Sequence, residues 1–151
     1  QFADTRFDKI LLDAPCSGEA AIDPANLKTY EQWSVAKIKR LSRLQEQLIM
    51  TAYDLLKPGG VLVYSTCTIA PEENELVIEY LLKRRTAGLQ QIDVPISGVR
   101  TGITTWHGKQ LSSQLSKAYR LVPNTDHEAF FVAKITKSLS DTGDQEDTYR
   151  L

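Results

Sequence analysis

The chain has 151 residues, 42% hydrophobic and 25% charged, the proportions of one ordinary globular domain. A formal net charge of −1 excludes wholesale electrostatic capture of nucleic acid, so an RNA partner requires a local basic face. Two cysteines without metal-ligand spacing offer no zinc site, no apolar run approaches the roughly 20 residues that cross a bilayer, and no secretory pattern is present, so a reducing, intracellular compartment is expected.

Phe7 to Ala14 carries three consecutive aliphatics, Ile10 to Leu12, and is stopped by Pro15 and Gly18, which predicts a buried parallel strand. Asp13 falls at its end, where a carboxylate reads either as a turn cap or as a hydrogen-bond acceptor for a ligand. Cys16 follows within Asp13-Ala14-Pro15-Cys16-Ser17-Gly18. Residues 17–30 lack a sustained period and carry turn formers, so they read as a loop of the kind in which binding residues collect. From Glu31 to Leu56, residues Ile38, Leu41, Leu44, Leu48, Ile49, Ala52, Leu55 and Leu56 recur at threes and fours. That spacing predicts one long amphipathic helix, ended by Lys57-Pro58-Gly59-Gly60. Lys37, Lys39, Arg40 and Arg43 lie mostly off its apolar stripe, as solvated surface or as contacts for phosphate.

Val61 to Tyr64 predicts a second buried strand, with Cys67 just beyond it in Ser65-Thr66-Cys67-Thr68. Pro71-Glu72-Glu73-Asn74-Glu75 then leads into a helix through Leu76, Val77, Tyr80, Leu81 and Leu82. Early acids there suit the positive helix end, and Lys83, Arg84 and Arg85 suit the negative one. Glycines and a proline break every period in residues 86–118, which read as loop with short strand pieces, Trp106 as packing and His107 as surface. Tyr119 to Val122 and Ala129 to Ile135 predict strands flanking a turn at Pro123 to Glu128. From Ser138 onward, acids without an aliphatic run predict a disordered tail over residues 138–151. Both cysteines follow strands, and in an open α/β sheet ligands bind beyond the carboxyl ends of the strands, so both thiols are expected to face one cleft.

The pairing of Asp-Ala-Pro-Cys-Ser-Gly with a Pro-Gly-Gly turn and Tyr64-Ser65-Thr66-Cys67-Thr68 resembles the NOL1/NOP2/sun (RsmB-like) family of RNA cytosine-5 methyltransferases over most of residues 7 to 136. Arg120-Leu121-Val122-Pro123 and Phe130-Phe131-Val132-Ala133 resemble its closing motif. The chain departs from the family at Ala20, Ala21 and Ile22, where members often carry Gly-Thr and paired basic residues, and at Glu128-Ala129, where Asp-Gly is common. The resemblance implies an α/β fold, the C-terminal half of a Rossmann-like class I methyltransferase domain, holding strands four to seven with their helices and an antiparallel last strand. Residues 1–137 are then a partial catalytic domain, since only six residues precede the first strand and no Gly-rich cofactor turn lies upstream. The outer edge of Phe7–Asp13, left open, is expected to favour self-association.

By the same resemblance the cofactor is S-adenosylmethionine, held at Asp13, Ala14 and Pro15, and no metal takes part. Cys67 is the implied nucleophile toward carbon 6 of cytosine, Cys16 the group for product release, and Asp13 a partner of the base. DNA cytosine-5 methyltransferases attack from a Pro-Cys loop, which makes Cys16 the alternative nucleophile. The implied substrate is rRNA or tRNA, with contacts at Ser17, Gly18, Lys28, Lys37, Lys39, Arg40 and Arg43, and the implied location is the cytoplasm, or the nucleolus in a eukaryote. The alternative in another class is an inactive fragment or RNA-binding module; a thiol redox protein is a weak third reading, for want of a Cys-x-x-Cys motif.

Overall fold

The computed structural model describes residues 5–141 apart from positions 24, 32, 94 and 124–126. Strand β1 (Phe7–Asp13) is followed by two short 3-10 turns, helix α1 (Val35–Asp54) and strand β2 (Leu56–Thr66). β1 and β2 are parallel, with Ile10 opposite Leu62 and Asp13 opposite Ser65. The pairing jumps from Phe7 opposite Leu56 to Lys9 opposite Val61, so Lys57-Pro58-Gly59-Gly60, expected as the connection before the strand, forms a bulge inside β2. Glycine is required there: Gly59 has φ 77°, and a Cβ on Gly60 would lie 2.8 Å from the Lys57 carbonyl oxygen.

The strand that completes the sheet's centre is β8 (Phe130–Lys137), antiparallel to β2 from Val61 opposite Thr136 to Thr66 opposite Phe131. Its other edge is shared by two short strands. β3 (Ala87–Gln90), which follows α2 (Glu75–Leu82), pairs with the end of β8, and β7 (Tyr119–Leu121) pairs with its start. β4 (Val99–Thr101) lies outside β7, and β5 (Thr105–Trp106) with β6 (Lys109–Gln110) forms a separate hairpin. The hairpin turns at His107 (φ 47°) and Gly108 (φ 73°), the paired positive φ values of a two-residue type I′ turn. The expected strand-turn-strand ending is therefore present as β7 and β8; part of its turn lies outside the described residues.

Helix α1 starts at Ser34, whose side chain accepts from the Lys37 amide, and buries Ile38, Leu41, Gln45, Ile49, Ala52 and Tyr53. Leu44, expected on that stripe, is 37% exposed, while Gln45 is fully buried because its amide finds polar partners inside. The core joins Ile49, Tyr53, Leu62, Tyr64, Val77, Ile78, Leu81, Phe131 and Ile135, with Phe131 edge-to-face on Tyr64. A second expectation is corrected at β1, a parallel strand that is not buried: Leu11 is 71% exposed. Among the described residues β1 has a neighbour on one side only, and nothing covers the face that carries Leu11.

The start of the expected tail is packed: the Ser138 amide donates to the Thr86 carbonyl, and Asp141 accepts from the Tyr53 hydroxyl. Residues 142–151 lie outside the described residues. Phe131 is fully buried and its neighbour Phe130 is 40% exposed. Urea unfolding should find Phe131→Ala destabilising by about 3–5 kcal/mol and Phe130→Ala by about 1 kcal/mol or less; equal effects would contradict this register.

Candidate active site

Because Asp13 and Ser65 are opposed on parallel strands, the loops after β1 and β2 leave the same edge of the sheet. The Ala14 amide donates to the Ser65 carbonyl and the Ala20 amide to the Cys67 carbonyl. Side chains tie the loops further, Ser17 Oγ lying 2.9 Å from Thr68 Oγ1, and Thr68 Oγ1 donating to Glu19 Oε2 at 3.0 Å. The consequence is direct contact between the two thiols, Cys16 Sγ to Cys67 Sγ being 3.1 Å, with both cysteines free.

Their environments differ. Cys67 is exposed, whereas Cys16 is partly covered, and burial together with the Cys67 contact pushes the Cys16 thiol up to about 11. Cys16 is therefore protonated at neutral pH. Asp13 remains exposed at the end of β1, with Oδ1 accepting from Ser65 Oγ at 2.9 Å. Of the residues implied to hold a cofactor, Asp13 presents an outward polar group that suits an amine or a hydroxyl. Pro15 is exposed, with its carbonyl already bonded to Gln45, whereas Ala14 is buried in the core, its amide bonded to Ser65, and offers no surface to a ligand.

The sequence reading missed the residues beneath these loops. Gln45 donates to the Pro15 carbonyl and to Glu73 Oε2, both at 2.8 Å, and Glu73 Oε2 also accepts from the Ser17 amide at 2.9 Å. Asn74 accepts from Thr66 Oγ1 at 2.5 Å and donates to the Thr68 carbonyl at 2.9 Å. Glu73 and Glu75, expected as early acids suiting the positive end of a helix, are fully buried with specific partners. One signal was available: Gln45 sits between Leu41 and Ile49 on the buried stripe, and a polar residue at a core position marks a place where local rules give way to function.

The residues expected to touch RNA fall into separate groups. Ser17 and Gly18 belong to the cysteine loop, where Gly18 takes φ 74° and a Cβ would meet nothing within 4 Å. Lys37 joins them, its Nζ donating to the Ser17 carbonyl at 3.1 Å. Lys39, Arg40 and Arg43 lie on the outer face of α1, where with Ala36, Leu44 and Gln47 they line a groove of about 480 Å³. Lys28 is exposed on the intervening 3-10 turn. Trp106, partly buried, donates to Glu72 and packs edge-on against His107. Among the described residues no group of three or more His, Cys, Asp or Glu is placed to hold a metal, and no helix is long and apolar enough to cross a membrane.

Residues 1–136 match the family model described as 16S rRNA methyltransferase RsmB/F. The chain belongs to the RsmB/F methyltransferase family. This RsmB/F chain is 46% identical over 132 residues to the tRNA (cytosine(49)-C(5))-methyltransferase of Pyrococcus abyssi, covering 87% of this chain and 42% of that protein. It is 38% identical over 138 residues to the human 28S rRNA (cytosine(4447)-C(5))-methyltransferase, covering 87% of this chain and 16% of that protein. Among solved structures, a methyltransferase homolog protein from Pyrococcus horikoshii superposes with TM-score 0.74 at 37% identity, over 89% of this chain and 40% of that one. NSun6 from Pyrococcus horikoshii with SFG gives TM-score 0.66 at 32% identity, over 91% of this chain and 31% of that one. The chain thus spans less than half the length of these relatives.

The two thiols should be chemically distinct. At pH 8 an alkylating reagent should modify Cys67 first and Cys16 roughly 10²-fold more slowly than an ordinary thiol, because so little of Cys16 is thiolate. Peptide mass spectrometry across pH should place the Cys16 midpoint at about 11; equal rates for both cysteines at pH 8 would refute the asymmetry.

Proposed function

We propose that this chain is the cysteine-bearing part of an RNA cytosine-5 methyltransferase that uses S-adenosylmethionine and proceeds through a cysteine adduct at carbon 6. The carrying observation is the 3.1 Å contact between an exposed thiol and a partly buried one where two parallel strands end. The names of the relatives, which are tRNA and rRNA cytosine-C5 methyltransferases, support RNA as substrate, and the neighbour with SFG, an S-adenosylmethionine analogue, supports the cofactor. S-adenosylmethionine supplies the methyl group, and the exposed Asp13 and Pro15, with Ala14 buried between them as their support, would hold it and the base.

Carbon 5 of cytosine is too weakly nucleophilic to take a methyl group unaided. Cys67, the exposed thiol, adds as thiolate to carbon 6 and forms the S–C6 bond, which makes carbon 5 an enamine carbon. After methylation, carbon 5 must lose its proton. The electron pair of that C–H bond restores the C5–C6 double bond, and the S–C6 bond breaks with its pair returning to the Cys67 sulfur. Cys16, protonated and in contact with that sulfur, hands its proton to Cys67 and takes the carbon 5 proton in exchange. Asp13 steadies the cytosine ring, and Ser17, Gly18, Lys28 and Lys37 near the loop, with Lys39, Arg40 and Arg43 on α1, meet phosphate. The protein works in a reducing compartment, the cytoplasm or a nucleolus.

A second reading, that these residues alone are an inactive fragment or RNA-binding module, is favoured by the span of less than half of the relatives and by the uncovered β1. Residues 1–137 are then part of a larger catalytic domain. In an enzyme of the relatives' full length, Cys67→Ala should abolish methylation and covalent attachment to RNA together. Cys16→Ala should still attack and methylate but stall, leaving a protein–RNA adduct on denaturing gels. Adduct with the Cys67 variant and none with the Cys16 variant would reverse the roles.

The edge of β1 carries a separate expectation. Unpaired strand edges recruit further strands, and Leu11, 71% exposed, adds apolar surface beside this one. The 151-residue chain should self-associate at high concentration, and a strictly monomeric sedimentation profile would count against it.

A further inference from the structure

We infer that the consecutive residues Glu73 and Asn74, together with Gln45, are positioning residues that set the two thiols against each other. The inference deepens the assignment of attack to Cys67 and release to Cys16, and rests on it. Gln45 and Glu73 hold the main chain on both sides of Cys16, at the Pro15 carbonyl and the Ser17 amide. Asn74 holds both neighbours of Cys67, at the Thr66 hydroxyl and the Thr68 carbonyl. A single peptide bond separates the two grips. The segment is itself fastened to β2, since the Tyr64 hydroxyl donates to the Glu73 carbonyl at 2.6 Å.

The burial pattern supports a positioning role. Gln45, Glu73 and Asn74 are all fully buried. Gln45 Oε1 and Glu73 Oε1 have no hydrogen-bond partner among the described residues. Buried oxygens left without donors weaken a fold, so stability alone would favour apolar side chains at these positions. What the arrangement secures is geometry: misplacement of a reacting group by about 1 Å can cost 10²-fold in rate. The negative charge of Glu73 is not required, because a single oxygen accepts from both Ser17 and Gln45.

The test compares variants of an enzyme of the relatives' full length, with substrate RNA and S-adenosylmethionine. Gln45→Met and Glu73→Leu should keep the first methyl transfer but slow product release about tenfold or more, trapping adduct, whereas Asn74→Ala should lose adduct and methylation together. Glu73→Gln retains the accepting oxygen and should restore release to near the wild-type rate. Should Glu73→Leu fail to fold, Gln45→Met carries the same comparison. Proportional loss of adduct and turnover in all variants, or Glu73→Gln as impaired as Glu73→Leu, would overturn the inference. A readout independent of the thiols' roles is Cys16 alkylation in a Cys67→Ala background without RNA. There, Gln45→Met should lower the pH midpoint and speed modification at pH 8, and an unchanged profile would overturn the positioning whichever thiol attacks. If instead Cys16→Ala traps no adduct while the alkylation profile shifts, the assignment of roles fails and the positioning stands.

Discussion

The parallel, in-register pairing of β1 with β2 is the constraint on which the site depends. Asp13 faces Ser65, so two loops that are 51 residues apart at their cysteines begin side by side. An antiparallel pair would send successive loops to opposite ends of the sheet. Parallel strands need a long crossover between them, and α1 supplies it. A slip of one residue would exchange the faces of β1, moving Ile10 and Leu12 out of contact with the core and Leu11 into it. The hydrophobic pattern of one short strand thereby governs where a thiol sits.

Beneath that edge, buried carboxylates do work that a reading by helix dipole assigns elsewhere. Glu75, fully buried at the start of α2, accepts from Arg120 Nε at 2.6 Å and from the Ile103 amide at 3.0 Å. Arg120 also donates to the Ile69 carbonyl at 2.9 Å, two residues past Cys67. A buried charge is tolerated only when paired and hydrogen-bonded, and here the pairing joins β7 to the loop that carries the exposed thiol. Glu73, fully buried without a cation beside it among the described residues, braces the Cys16 loop through one oxygen, which accepts from the Ser17 amide and from Gln45. Neighbouring acids in Pro71-Glu72-Glu73-Asn74-Glu75 therefore brace opposite sides of one site.

The unequal burial of the thiols makes the two sulfurs chemically different. Two identical thiols in contact would compete for one proton without preference. Partial burial of Cys16 removes that symmetry, because desolvation penalises its thiolate. The sheet edge brings the sulfurs together, and the depth of each loop sets how far each is exposed.

The order of strand, long helix, strand and helix was legible from apolar spacing and from Gly and Pro stops, and the paired motifs around Cys16 and Cys67 were sufficient to name the family. Local pattern was sufficient because each of those features lies within one element or turn. Only the tertiary structure decided that Leu44 faces out and Gln45 in, that β1 lies open, that β3 and β7 divide one edge of β8, and that Glu73 and Asn74 brace the cysteine loops. The physical reason is distance along the chain. A glutamine is buried at a core position only if its amide is satisfied there, and the partners of Gln45 are Pro15, 30 residues before it, and Glu73, 28 residues after it. No helical period contains either one.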